Sequence, residues 1–270
     1  MPKLDRDGVQ IHYEVHGAGP AVLLSHGYSA TCRMWDGQIA ALKDRWRVIV
    51  WDMRGHGESD YPADPAAYSE ALTVADMAAI LQACGEDKAV IAGLSLGGYM
   101  SLAFHATHPG MTRALMLFDT GPGFKSDTAR QGWNETAHKR ARDLEARGLS
   151  ALGSSDEVRL GKHRSADGLA GAARGMLAQA DDRVIRSLET IDVRALVLVG
   201  SEDKPFLAAT DYMAKKIPMS TKAVIEGAGH AANLHKPNAF NAAVMDFLET
   251  LPAVGGEKPV EARWRAETDQ

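Results

Sequence analysis

The 270 residues are 45% hydrophobic and 24% charged, the balance of a soluble globular protein rather than of a disordered or fibrous chain. Thirty Lys and Arg against 35 Asp and Glu leave a formal charge of −5, which argues against a protein that neutralises nucleic-acid phosphates. With only Cys32 and Cys84, a disulfide framework is excluded, and two free or buried thiols in a reducing compartment are expected.

Residues 9–15 alternate apolar and polar side chains, the period of a half-buried edge strand, and Gly17-Ala18-Gly19-Pro20 turns the chain after them. The runs at 21–24, 48–51, 89–92, 114–118 and 195–199 are short and continuously apolar, as in strands covered on both faces. Helix-length stretches at 72–84, 99–108, 206–216 and 238–248 complete a strand–helix alternation that predicts a mainly parallel, doubly wound α/β sheet. From Gly123 to Asp192 no strand-like run occurs. A helical insertion over 123–192 is therefore expected to form a lid on a core domain made of 1–122 and 193–252.

Within the insertion, residues 126–147 are highly charged around Lys139-Arg140-Ala141-Arg142-Asp143, read as a solvated face, with Gly148 as the stop; residues 165–180 are rich in Ala and Gly. A polar tail is expected over 253–270, with Trp264 its one residue suited to docking. The start of the chain shows no apolar leader, and no stretch approaches the roughly 18 apolar residues of a spanning helix. The chain thus reads as cytoplasmic, with neither membrane nor nucleic acid as a partner.

Chemistry concentrates first in Gly93-Leu94-Ser95-Leu96-Gly97-Gly98, which follows the apolar run at 89–92 and opens a helix-forming stretch. This is the G-x-S-x-G nucleophile elbow in its strand-turn-helix context: small flanking residues let a serine take a strained turn with its hydroxyl raised above the sheet. The Leu96 amide then lies at a helix N-terminus, where unpaired N–H groups favour negative charge. A serine needs a base. His230, in a Gly-rich loop after the strand-like residues 222–225, is favoured over His235, which lies beside Pro237.

An orienting carboxylate is expected from Asp203, on the loop after the strand at 195–199, which gives the chain order Ser95, Asp203, His230; Asp119 and Glu202 are its rivals. The loop Ser25-His26-Gly27-Tyr28-Ser29 is positioned to offer the Tyr28 amide as second oxyanion donor. His26 beside it is read as a loop tie. His105 and His108 lie three apart on an expected helix with no third ligand nearby, so no metal is expected. Gly55-His56-Gly57 lacks the third glycine of a dinucleotide fingerprint, so no nucleotide cofactor is expected either.

Together these residues resemble the α/β-hydrolase fold superfamily over 9–250. The resemblance rests on His26-Gly27, Asp52-Met53-Arg54-Gly55-His56-Gly57-Glu58-Ser59, the elbow, residues 200–203 and Gly229-His230. Within it, the elbow and the insertion look like the esterase, enol-lactonase and C–C hydrolase group. His235 departs from it where many relatives carry a glutamate, which leaves a loop salt bridge in doubt. Ser rather than Asp at position 95 disfavours dehalogenase and epoxide hydrolase chemistry. Aromatic and sulfur side chains in and near the insertion, Phe124, Trp133 and Met176 among them, with Tyr28 as further wall, suggest an apolar pocket for a small-molecule ester, so a carboxylesterase-like serine hydrolase is expected. A lactonase or C–C bond hydrolase with the same triad, and a ligand-sensing protein on the same scaffold, are the alternatives.

Overall fold

The computed structural model describes residues 3–252; the expected polar tail with Trp264 lies outside the described residues. Eight strands form one sheet: β1 (Lys3–Arg6), β2 (Val9–His16), β3 (Ala21–Ser25), β4 (Arg47–Trp51), β5 (Ala89–Leu94), β6 (Thr112–Phe118), β7 (Ala195–Gly200) and β8 (Ser220–Ile225). Their order is β1-β2-β4-β3-β5-β6-β7-β8, antiparallel at β1/β2 and β2/β4 and parallel elsewhere. The α/β-hydrolase fold expected from the sequence is thus present.

Period-2 geometry sends successive strand residues to opposite faces, and the continuous apolar runs feed two cores. On one face Leu23, Ile49, Ile91, Leu115 and Val197 pack with α2 (Glu70–Ala83) and α3 (Leu96–Thr107). On the other, Val22, Val48, Val90, Met116 and Leu196 pack with α1 (Asp36–Leu42) and with Phe240, Val244 and Phe247 further along the chain. Each such fully buried side chain contributes about 1.5–3 kcal/mol relative to exposure.

Two features differ from the sequence reading. Strand β2 is not an edge: β1 pairs along it from Lys3↔His12 to Arg6↔Val9 through a turn in which Asp7 and Gly8 both have positive φ. Half-burial reports a covered face, not a missing neighbour. Helix α1 is the second, because seven residues with a glycine at the second position carry little periodic signal in the sequence.

Between β6 and β7 the described chain is helical: α4 (Asp127–Arg147), α5 (Asp156–Leu160), α6 (Ala166–Ala172) followed by a π-turn, and α7 (Arg183–Ser187). Ser126 caps α4 by accepting from the Ala129 amide, and Gly148 at φ 63° ends it. Helices α8 (Lys204–Lys216), α9 (Ala232–His235) and α10 (Pro237–Glu249) complete the described part of the chain. Among the described residues no helix is long and apolar enough to cross a membrane.

Strand order positions the site. The chain leaves β3 for β4 on one side and returns to β5 on the other, so the loops after β3 and β5 part above the sheet and open a crevice. Because the strands from β3 to β8 are parallel, the loops after β6, β7 and β8 converge on the same edge.

Candidate active site

Ser95 is the single residue between β5 and α3 and adopts φ 56°, ψ −115°, a conformation costly for any residue with a Cβ. Its surroundings hold it there. The Ser95 amide donates to the Phe118 carbonyl at 2.9 Å, and its carbonyl accepts from Thr120 Oγ1 at 2.6 Å and from the Tyr99 amide at 3.0 Å. The turn also demands glycine on both sides: a Cβ on Gly93 would fall 2.3 Å from the Gly97 carbonyl, and one on Gly97 would fall 2.1 Å from the Ser25 carbonyl oxygen.

The loop after β3 lies directly against this elbow, since a Cβ on Gly27 would be 3.4 Å from Ser95 Cβ. His26, fully buried, ties that loop down. Its Nδ1 donates to the Gly27 carbonyl at 2.7 Å and its Nε2 accepts from the Met53 amide at 2.9 Å. The amides of Tyr28 and Leu96 have no acceptor among the described residues, and both residues line the cavity.

The 52–59 segment braces the loop from behind. Asp52 accepts from the Cys32 and Glu58 amides at 2.7 and 2.9 Å, Arg54 grips Asp76 of α2 with two bonds of 2.7 and 2.9 Å, and His56 Nε2 accepts from the Ser29 amide at 3.3 Å.

Asp203 follows β7, almost wholly buried, and accepts at Oδ2 from His230 Nδ1 at 2.8 Å. With Nδ1 engaged, Nε2 is the nitrogen left to take a proton. Burial disfavours the imidazolium, but the Asp203 hydrogen bond and charge, helped by Asp119 and Glu157, outweigh it and hold the His230 pKa above the usual value of 6.5. Ser95 and His230 share the cavity wall without a hydrogen bond between them.

The rival residues have other partners. Glu202 is exposed and stands off the cavity wall, its amide donating to the Ala228 carbonyl at 2.8 Å. His235 Nδ1 accepts from the Gly229 amide at 2.9 Å and its Nε2 lies 3.8 Å from Asp156, so it props the loop that carries His230. Asp119 is fully buried at φ 45°; Oδ1 accepts from the Gly200 amide at 2.8 Å and Oδ2 has no partner. Burial pushes its carboxyl up to about 7, against the Gly200 hydrogen bond and the His230 charge.

A cavity of about 790 Å³ joins these groups and is lined by Ser95, Asp203, His230, Tyr28, Phe124 and Trp133 among others. Its volume suits a small organic ligand. Met176 corrects the sequence reading: it is fully buried in the apolar core beside Leu169 and Ala173 and does not reach the cavity, because the π-turn directs it inward.

The charge run at 139–143 is also only partly a solvated face. Lys139 and Arg142 point outward, whereas Arg140 and Asp143 line the cavity. The spacing of buried Ala137, Ala141 and Leu144 already marks the inner face of α4 and with it the residues flanking that stripe.

Among the described residues, His12, Glu14 and Cys32 bring potential metal-ligand atoms within 4.8 Å of one another. Arg33 already pairs with Glu14 and lies 3.4 Å from the Cys32 sulfur, so a guanidinium supplies the cation there. The group does not line the cavity.

The fold and this cavity define the scaffold of an α/β hydrolase, and comparison with known proteins agrees. A family model described as the alpha/beta hydrolase fold matches residues 20–144. A Bacillus subtilis protein provisionally named 2-succinyl-6-hydroxy-2,4-cyclohexadiene-1-carboxylate synthase is 30% identical, over 91% of this chain and 97% of its own. The 3-oxoadipate enol-lactonase 1 of Acinetobacter baylyi is 28% identical, over 92% and 96%. Among solved structures, a thermophilic esterase from Thermogutta terrifontis superposes with a TM-score of 0.81 at 27% identity, over 93% of this chain and 99% of that one. The chain belongs to the α/β-hydrolase fold family.

Proposed function

We propose that the protein is a serine hydrolase that cleaves a small carboxylic ester through an acyl-enzyme intermediate. The observation that carries this reading is the 2.8 Å bond from His230 Nδ1 to Asp203, on the wall of the same cavity that Ser95 enters from its strained elbow. His230 Nε2 takes the Ser95 proton as Oγ attacks the carbonyl carbon. The Tyr28 and Leu96 amides hold the developing oxyanion, and Asp203 keeps the imidazole in the required tautomer. Collapse of the tetrahedral species expels the alcohol, protonated by His230, and water activated by the same imidazole frees the acid.

In this reading residues 123–192 act as the lid, Phe124 and Trp133 form apolar wall, and the substrate is a small molecule handled without a cofactor. Cytoplasmic residence is part of the same proposal. The identity shared with an enol-lactonase along almost the whole chain favours a cyclic ester as the second reading. The test is Ser95→Ala: turnover of 4-nitrophenyl butyrate should fall to background with an unchanged circular dichroism spectrum. Residual turnover well above background overturns the serine assignment, and a panel of esters, lactones and vinylogous diketones assigns the bond type.

A further inference from the structure

The insertion over 123–192 contains nine arginines, and seven of them pair with a carboxylate within 4.0 Å. Arg164 donates to the Ser59 carbonyl instead. Arg140 alone has neither an anionic partner nor a hydrogen-bond acceptor among the described residues, and it is the one arginine on the cavity wall. Its guanidinium carbon lies 5.9 Å from the centre of the Tyr28 ring, so the solvent-accessible cation stands over a second residue of the cavity wall. Three carboxylates also reach the wall, but each is engaged: Asp203 accepts from His230 Nδ1, Asp143 lies 3.8 Å from Arg147, and Glu157 accepts from Ser155 Oγ at 2.7 Å. Phe124, Trp133, Leu144 and Leu152 supply much of the remaining lid-side wall.

An unpaired guanidinium facing a largely apolar cavity is matched by a planar anion that can take two parallel N–H bonds, and a carboxylate has that geometry. We infer that Arg140 binds a free carboxylate of the substrate, so that the esters or lactones this enzyme prefers carry a carboxylate remote from the scissile carbonyl. The inference rests on the serine-hydrolase reading for its chemistry but not for its binding site. Arg140 orients the substrate through its anionic end, while Ser95, His230 and Asp203 act on the carbonyl.

The test compares kcat/KM for matched esters that differ in charge: mono-4-nitrophenyl adipate with 4-nitrophenyl hexanoate, and 4-acetoxybenzoate with its methyl ester, so that an anion on either the acyl or the alcohol side is sampled. Wild type should prefer the anionic member of at least one pair. Arg140→Ala should reduce that anionic-to-neutral ratio by about 10- to 100-fold, chiefly through KM, in line with the loss of charge-assisted hydrogen bonds. Arg140→Lys should recover part of it, and Arg142→Ala, on the outer face of the same helix, should leave the ratio unchanged.

No charge preference in either pair, or a preference that survives Arg140→Ala, overturns the inference. If no ester of either charge turns over above the Ser95→Ala level, the serine-hydrolase reading fails, and titration calorimetry of adipate decides the binding claim separately. Adipate should then bind wild type at least about tenfold more tightly than Arg140→Ala, and equal or undetectable binding refutes it.

Discussion

The Phe206 ring stacks on the His230 imidazole, with centroids 5.0 Å apart and planes inclined by 25°. Phe206 opens α8 just after Asp203, so one short segment supplies both the carboxylate that His230 Nδ1 bonds and the flat surface that fixes the ring plane. Burial alone would pull the His230 pKa down; Asp203 reverses the sign and holds it above 6.5. The acid limb of kcat/KM should therefore have its midpoint above pH 6.5. Asp203→Asn should move it lower and reduce kcat by roughly 10³- to 10⁴-fold. A wild-type midpoint below 6.5, measured between pH 4.5 and 9, contradicts the proposed pairing.

Asp119 also has a raised pKa, set by its own burial rather than by a partner. Its carboxyl titrates near 7 in the fold against 3.8 when free, so between those values the native state holds a proton that the unfolded state has lost. Stability contributed by this group therefore falls as pH rises from about 4 to 7. Asp119→Asn, which keeps an oxygen for the Gly200 amide and carries no charge, should gain melting temperature relative to wild type at pH 8 and gain less at pH 5. The reverse order rejects the buried-acid reading.

Three imidazoles brace the loop after β3: His26 and His56 with ring centroids 4.9 Å apart, and His163 of the insertion 5.6 Å from His56. His163 Nε2 donates to the Ser29 carbonyl at 2.9 Å, so it joins the insertion to the loop that carries Tyr28. Burial depresses all three pKa values below 6.5. The unfolded chain gains protons there that the native state refuses, so these groups withdraw stability as pH falls below 6.5. His163→Gln, which can still donate but cannot titrate, should lose less melting temperature than wild type between pH 7 and 5. His163→Ala should lower stability at pH 7.5 by about 1–2 kcal/mol through the lost bond, read by urea denaturation; no change at either pH dismisses the link.

Arg54 and Asp76 form a two-bond ion pair with almost no solvent access. Asp76→Ala removes the one carboxylate that pairs with Arg54 among the described residues, which also accepts from Arg6 Nε at 3.2 Å, and by stranding the buried guanidinium should lower unfolding free energy by about 3–5 kcal/mol. Replacing both residues by leucine should restore part of that loss. A double variant less stable than Asp76→Ala means that packing, not the stranded charge, sets the cost.

What the sequence determined by itself is what short-range patterning encodes. Five continuously apolar runs and the helical stretches between them specify a sheet covered on both faces, and Gly93-Leu94-Ser95-Leu96-Gly97 specifies a turn only small neighbours permit. Chain order then assigns Ser95, Asp203 and His230 to loops that a parallel sheet gathers on one edge. Tertiary structure decided matters of adjacency. Polar Lys3–Arg6 becomes a strand only because β2 offers it backbone partners, Asp119 is engaged by Gly200 and not by His230, and the π-turn sends Met176 into the core. Arg140 and Arg142 differ by two residues, are both exposed and read alike in sequence, yet a rotation of some 200° about α4 puts one over Tyr28 on the cavity wall and the other beside Glu135 on the outer face. Local pattern records which side chains avoid water; which neighbour covers them, and which charge is left facing an empty space, is settled only when distant segments pack.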